Sequence, residues 1–338
     1  EGEELPAVLQ LVVDVSGSMD DPAPGADNGD SKWDVTRKAL RNAIDAMPDS
    51  VSVGVLYYPN RDVSDSTDPR PVDRCVNVDA MIPIDMLGPQ GDPQRDQIDQ
   101  SLDDANTGDL TPTHDAYRYA LQESLIPYMT SARKFMLLIT DGEPTMRLEC
   151  IGQTGNNVMD QPTQPIIDEI AGAFAQDIRT FLIGSPGSQE SSESMTDMRP
   201  WLSRAAIEGG TAPDGCMENG PDYCHLDMTQ EPDFAQALTD GLASIVGQVV
   251  DSCTFVMPPP PDGQTIDPNL TNLIINWGSG DSSLILPDDV GDCTEGWQFN
   301  DKGEVVLCSA TCDDVKADSG ATVQLTFGCS TGDIIPVR

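Results

Sequence analysis

Leu9-Gln10-Leu11-Val12-Val13-Asp14-Val15-Ser16-Gly17-Ser18-Met19-Asp20 decides how the rest of the chain is read. It starts as a nearly unbroken apolar run with β-branched residues, the pattern of a strand buried on both faces. It ends in three hard oxygen side chains at alternate positions, Asp14, Ser16 and Ser18, with Gly17 among them to bend the chain into a loop. An acid and two hydroxyls at the carboxyl end of a central strand lie where open α/β sheets bind ligands. Such oxygens suit Mg²⁺, Mn²⁺ or Ca²⁺ over softer metals. One carboxylate and two hydroxyls are too few to hold a divalent ion, so further oxygen donors are expected at other strand ends or helix starts.

A second fully apolar run, Phe135-Met136-Leu137-Leu138-Ile139-Thr140, also stops at an acid, Asp141, followed by Gly142. Between the two runs, Thr111-Pro112-Thr113 opens a helix, with Pro early and Asp115 near the positive end. Further strands are expected at 51–57, at 78–84 as a short edge strand that tolerates Pro83, at 179–183 and near 225–228. Helices are expected at 31–47, 92–105, 111–127, 165–176, 195–207 and 233–249. Trp33, at the head of the first helix, is read as packing on the sheet. This alternation implies an α/β architecture: a doubly wound, mostly parallel sheet with helices on both faces. After Cys253 the pattern changes. Four prolines at 258–261 form a stiff connector, and short strand-type runs at 273–277, 284–286, 305–307 and 322–327 are separated by Gly, Asp and Pro. The expected division is 1–252 for the α/β domain and 253–338 for a small, disulfide-stapled all-β domain.

The 338 residues carry a net charge of −39, which argues against nucleic acid or anionic membrane surfaces as partners. The acidity is read as adaptation to salt and general solubility. Nine cysteines, scattered instead of grouped as CxxC pairs, point to disulfides in an oxidising, extracytoplasmic compartment. Their odd number leaves one unpaired or bonded to another chain. No apolar run approaches the length of a membrane span. Glu1-Gly2-Glu3-Glu4-Leu5-Pro6 reads as a mature or truncated terminus, consistent with removal of a signal peptide or a lipid-bearing Cys that tethers the protein to a membrane.

Other chemistries fare worse. Two histidines leave little material for a Ser-His-Asp triad, and Ser16 lacks the Gly-x-Ser-x-Gly elbow. His114 is expected to face solvent. There is no phosphate loop of the Gly-x₄-Gly-Lys type. Cys216, Cys224 and His225 lack zinc-site spacing.

Asp14-x-Ser16-x-Ser18, a helix-opening Thr and a strand-ending Asp-Gly, in this order, resemble the von Willebrand factor A domain and its metal-ion-dependent adhesion site over roughly residues 5–250. Asp14, Ser16 and Ser18 match the first motif and Asp141 the last. The middle motif departs from the usual Gly-Gly-Thr by reading Asp109-Leu110-Thr111; Thr111, the first Thr after Gly108, takes the ligand role, and Thr113 stands as the alternative. The opening Lys32-Trp33-Asp34 and the Cys-rich tail are similar to bacterial secreted or lipid-anchored surface adhesins, myxobacterial ones among them.

The resemblance implies five parallel strands with one antiparallel edge strand, and Mg²⁺ (or Mn²⁺ or Ca²⁺) on the rim. The implied ligands are Asp14, Ser16, Ser18, Thr111 and Asp141, with Thr113 and Glu143 behind them; for Glu143 a solvated loop acid is the competing reading. A partner's Glu or Asp would fill the open coordination position. The implied function is metal-dependent adhesion by a non-enzymatic protein-binding module at the cell surface, in the outer membrane or in secreted form. The alternative is a scaffold whose ion only stabilises and whose β tail makes the contacts. With the implied strand order, Cys75 pairs with Cys150 across insertions on the metal-bearing rim, and Cys216 pairs locally with Cys224. The remaining pairs lie among Cys253, Cys293, Cys308, Cys312 and Cys329.

Overall fold

In the computed structural model, Ala7–Asp14 is a strand, β1, buried along its whole length. Residues 7–26, 29–60, 75–108, 110–128, 132–146, 150, 159–189, 197–250, 253–255, 270–288, 292–300, 303–318 and 321–327 are described. The connector at 258–261 and Cys329 lie outside them. Two compact units are present, Pro6–Val250 and Asp251–Arg338.

β1 is followed by a helix, α1 (Lys32–Ala46), then β2 (Ser52–Tyr58), β3 (Ile82–Met86), β4 (Arg133–Thr140), a two-stranded ribbon of β5 (Thr145–Met146) and β6 (Met159–Asp160), β7 (Ile178–Gly184) and β8 (Leu226–Asp227). The main sheet runs β3-β2-β1-β4-β7-β8. Every neighbouring pair is parallel except β2–β3. This is the doubly wound sheet the alternation predicts. The edge strand falls at Ile82–Met86, later than 78–84, and its pairing with β2 is irregular between Val53 and Val55.

Period-2 alternation assigns the two faces. Leu9, Leu11 and Val13 of β1 and Phe135, Leu137 and Ile139 of β4 pack with Trp33, Leu40 and Ile44 of α1 and with Leu238 and Leu242 of the Phe234–Val250 helix. Val8, Val12, Met136 and Leu138 pack on the other face with Tyr117, Leu121, Ile170 and Leu202. Trp33 is a core residue, edge-on to Tyr57 at 6.2 Å. Gln10 is the polar residue inside the apolar run of β1, ahead of its closing Asp14. Its Nε2 donates to the Leu11 carbonyl at 2.9 Å and its Oε1 accepts from the Ser124 hydroxyl at 2.7 Å. Gly54 makes room for it, since a Cβ there would stand 2.8 Å from that Oε1. α1 is started by a capping box in which Ser31 and Asp34 satisfy each other's backbone N–H groups.

The second unit holds two three-stranded antiparallel sheets around Phe255, Leu273, Ile275, Trp297, Val305, Leu307 and Leu325. Disulfides Cys253–Cys312 and Cys293–Cys308 staple it. Besides the four expected strands it has Thr254–Phe255, Trp297–Phe299 and a helix, Ser309–Ala317. Among the described residues no helix is long and apolar enough to cross a membrane. Four disulfides are those of an extracytoplasmic protein.

Candidate metal centre

The chain leaves β1 for β2 on one side and enters β4 on the other, so the switch point of the sheet lies between β1 and β4. Ligand crevices of open α/β sheets form at such points, beyond the carboxyl ends of the strands. Parallel register sets Val13 opposite Ile139, which brings Asp14 and Asp141 to the same rim. Past Asp14, the Val15 N–H still donates to the Tyr58 carbonyl at 2.8 Å. The chain then turns through a short 3₁₀ segment, Gly17–Asp20, anchored by the fully buried Met19, with Gly17 and Ser18 outward.

The four residues of the first and last motifs form one hydrogen-bonded set. Asp14 Oδ1 accepts from the Ser16 N–H at 2.8 Å, and Asp14 Oδ2 accepts from the Thr140 hydroxyl at 2.7 Å. The Ser16 and Ser18 hydroxyls are 3.3 Å apart, and Ser18 donates to Asp141 Oδ1 at 2.7 Å. Burial, then the facing Asp141 charge, pushes the Asp14 carboxyl up to about 7, against the pull of its Ser16 and Thr140 hydrogen bonds. Two buried carboxylates with hydroxyls between them are a donor set that suits a hard divalent cation.

Thr111 sits on the adjoining loop. Its N–H donates to Thr145 Oγ1 and its carbonyl accepts from the Thr145 N–H, both at 2.8 Å, which ties it to the segment following Asp141. The Gly108 N–H donates to the Val15 carbonyl at 2.9 Å and ties the same loop to the end of β1. Among the described residues no hydrogen bond joins the Thr111 hydroxyl to the set of four. Thr113 is buried and its hydroxyl donates inward, to the Thr111 carbonyl at 3.3 Å. Glu143 is half-buried two residues past Asp141.

Cys75 and Cys150 are bonded and buried, and their sulfurs lie within 4.8 Å of an Asp115 carboxylate oxygen at the start of the Thr113–Tyr119 helix. Gln161 holds the same helix start, accepting from the His114 N–H at 2.9 Å and donating to Asp115 Oδ2 at 3.1 Å. Cys216 and Cys224 are also bonded. His114 corrects the expectation of a solvent-facing residue. It is 3% exposed, and its Nε2 meets Glu169 at 2.9 Å, a partner supplied from 55 residues away.

The principal residue that sequence reasoning missed is Lys32. Its ammonium donates to Asp141 Oδ2 and, at 2.9 Å, to the Pro186 carbonyl. The available signal was its place at the first position of α1, where the helix dipole disfavours a cation unless an acid faces it.

No sequence-family profile matches the chain, and no curated protein does either. Solved structures do. The pilus adhesin SpaC from Lactobacillus rhamnosus GG matches at TM-score 0.51 with 14% identity, over 96% of this chain and 39% of that one. The present chain therefore spans well under half the length of SpaC. Proximal thread matrix protein 1 from the mussel byssus, with a zinc-occupied MIDAS motif, matches at TM-score 0.40 with 13% identity, over 73% of this chain and 48% of that one. BatB from Bacteroides thetaiotaomicron matches at TM-score 0.40 with 13% identity, over 72% and 99%. The fold is of the von Willebrand factor A type.

Proposed function

We propose that this chain is an adhesion module displayed at the cell surface or secreted, and not an enzyme. In this reading Asp14, Ser16, Ser18, Thr111 and Asp141 hold a divalent ion, Mg²⁺ with Mn²⁺ or Ca²⁺ as alternatives, and an acidic side chain of a protein partner completes the coordination. The observation that carries it is the hydrogen-bonded chain Ser16–Ser18–Asp141, with Asp14 beside it, at the switch point of the sheet. The hydroxyls of Ser16 and Ser18 are mobile donors that can turn their lone pairs to a cation, while Thr140 and the Ser16 N–H keep Asp14 in place. When bound, the ion supplies a Lewis-acidic position open to a carboxylate. Of the two threonines, Thr111 is taken as the fifth donor, because its loop is tied to the end of β1 through Gly108, whereas Thr113 is fully enclosed with its hydroxyl turned inward to the Thr111 carbonyl. SpaC, which shares the fold, is a pilus adhesin, and that supports an adhesive role.

Pull-down from cell-surface extracts with Mg²⁺ or with EDTA tests this. The expected partner is captured with Mg²⁺ and lost with EDTA and with Asp14→Ala. Capture that is indifferent to both would transfer the contact elsewhere on the chain.

A further inference from the structure

Lys32 is a buried cation in direct contact with a candidate ligand. It is 4% exposed, although lysine is rarely enclosed unless paired. Its ammonium is held by Asp141 Oδ2 and the Pro186 carbonyl, and Asp21, whose side chain is largely exposed, stands 3.9 Å away. The second oxygen of Asp141, Oδ1, is turned to the Ser18 hydroxyl. The two oxygens of this carboxylate are therefore divided, one toward the hydroxyl set and one toward the lysine. The enclosure is built for this arrangement. Gly187 closes it with φ +121°, and a Cβ there would stand 2.6 Å from the Asp141 carbonyl oxygen and 3.2 Å from the lysine Nζ.

Counting charge shows what the lysine changes. Asp14 and Asp141 together supply two negative charges, enough to neutralise a divalent cation between them. Lys32 takes up one of the two, while Asp21, the other acid near the ammonium, is largely exposed and screened by water. We propose that Lys32 is the residue that sets ligand choice at this site: it keeps the loaded centre net positive, which weakens its hold on the cation and strengthens its hold on a carboxylate. The inference rests on the metal-site reading above and adds the residue whose charge makes that site prefer an anion to a neutral ligand. In a chain of net charge −39, an acidic partner meets repulsion at long range, and a local cationic centre is what offsets it on contact.

Mn²⁺ and acetate are suitable probes. The Mn²⁺ dissociation constant is measured by calorimetry, and acetate binding by its displacement of water from bound Mn²⁺, followed by water-proton relaxation. Lys32→Met keeps the stem and removes the charge. It should tighten Mn²⁺ and raise the acetate concentration needed for half-displacement, each by about tenfold, the scale of one charge at a partly solvated site. Lys32→Arg keeps the charge on a bulkier head and should move both constants by less than Lys32→Met does. Should Lys32→Met not fold, Lys32→Gln takes its place. If the wild type binds Mn²⁺ but neutralising Lys32 moves neither constant, or if Lys32→Arg moves them as far as Lys32→Met, the charge assignment is wrong while the metal site stands. If the wild type binds no Mn²⁺, both fall together.

Discussion

Replacing Asp14 with Asn should stabilise the metal-free chain and abolish its stabilisation by metal. Asp14 is fully enclosed, and burial with the facing Asp141 raises its carboxyl from 3.8 to about 7. A group whose folded value lies above its unfolded one contributes stability below pH 3.8 and loses it as pH rises through 7. At pH 8, and at about 1.4 kcal/mol per pH unit, ionised Asp14 costs the metal-free fold about 4 kcal/mol. Asn avoids that cost. It keeps an acceptor for the Ser16 N–H and presents its amide to Thr140, an imperfect exchange worth about 1–2 kcal/mol. The variant should therefore be more stable than the wild type by about 2–3 kcal/mol in EDTA at pH 8. With Mg²⁺ at a hundred times its dissociation constant, the wild type gains about 2.7 kcal/mol and the variant nothing, so the wild type draws level or moves ahead. Urea unfolding followed by far-UV circular dichroism reads both conditions. A variant that is less stable in EDTA, or that keeps the full Mg²⁺ response, would refute the reasoning.

Thr111→Ala should weaken Mn²⁺ by about tenfold with under 1 kcal/mol lost in EDTA, whereas Thr113→Ala should lose stability and keep the ion affinity. Calorimetry and urea unfolding separate the two, and the reverse pattern would move the ligand role to Thr113. Removing Cys75–Cys150 with serines frees a loop of 75 residues and should cost about 4 kcal/mol, read by urea unfolding; a loss under about 1 kcal/mol would contradict it. His225 is held down to about 4, mainly by burial, so its contribution is present above pH 6.5 and lost as pH falls toward 4. The stability difference between wild type and His225→Gln should grow by about 3 kcal/mol from pH 4 to 6.5. A flat difference would mean that the imidazole titrates normally in the fold.

β1 and β4 were legible because both faces are buried, which writes each strand as a continuous apolar run ending at an acid. The edge strand carried a weaker signal: one face is exposed, Pro83 interrupts it, and the boundary slipped by several residues. The Ser309–Ala317 helix was missed because nine residues offer too short a period to stand out beside two disulfides and short strands. The candidate oxygens could be named from the sequence because each lies at or just past the end of a strand, or just ahead of a helix. What surrounds them could not. Lys32, Thr140 and Gly187 acquire their roles through contacts spanning more than a hundred residues, or through a backbone angle no motif records. His114 was misread for the same reason, since Gln161 and Glu169 reach it from later segments.

Calorimetric titration of Mn²⁺ into the metal-free chain at pH 8 tests the central claim most directly. A single ion per chain is expected for the wild type and none for Asp14→Asn or Asp141→Asn. No binding to the wild type, or equal binding to all three proteins, would contradict it.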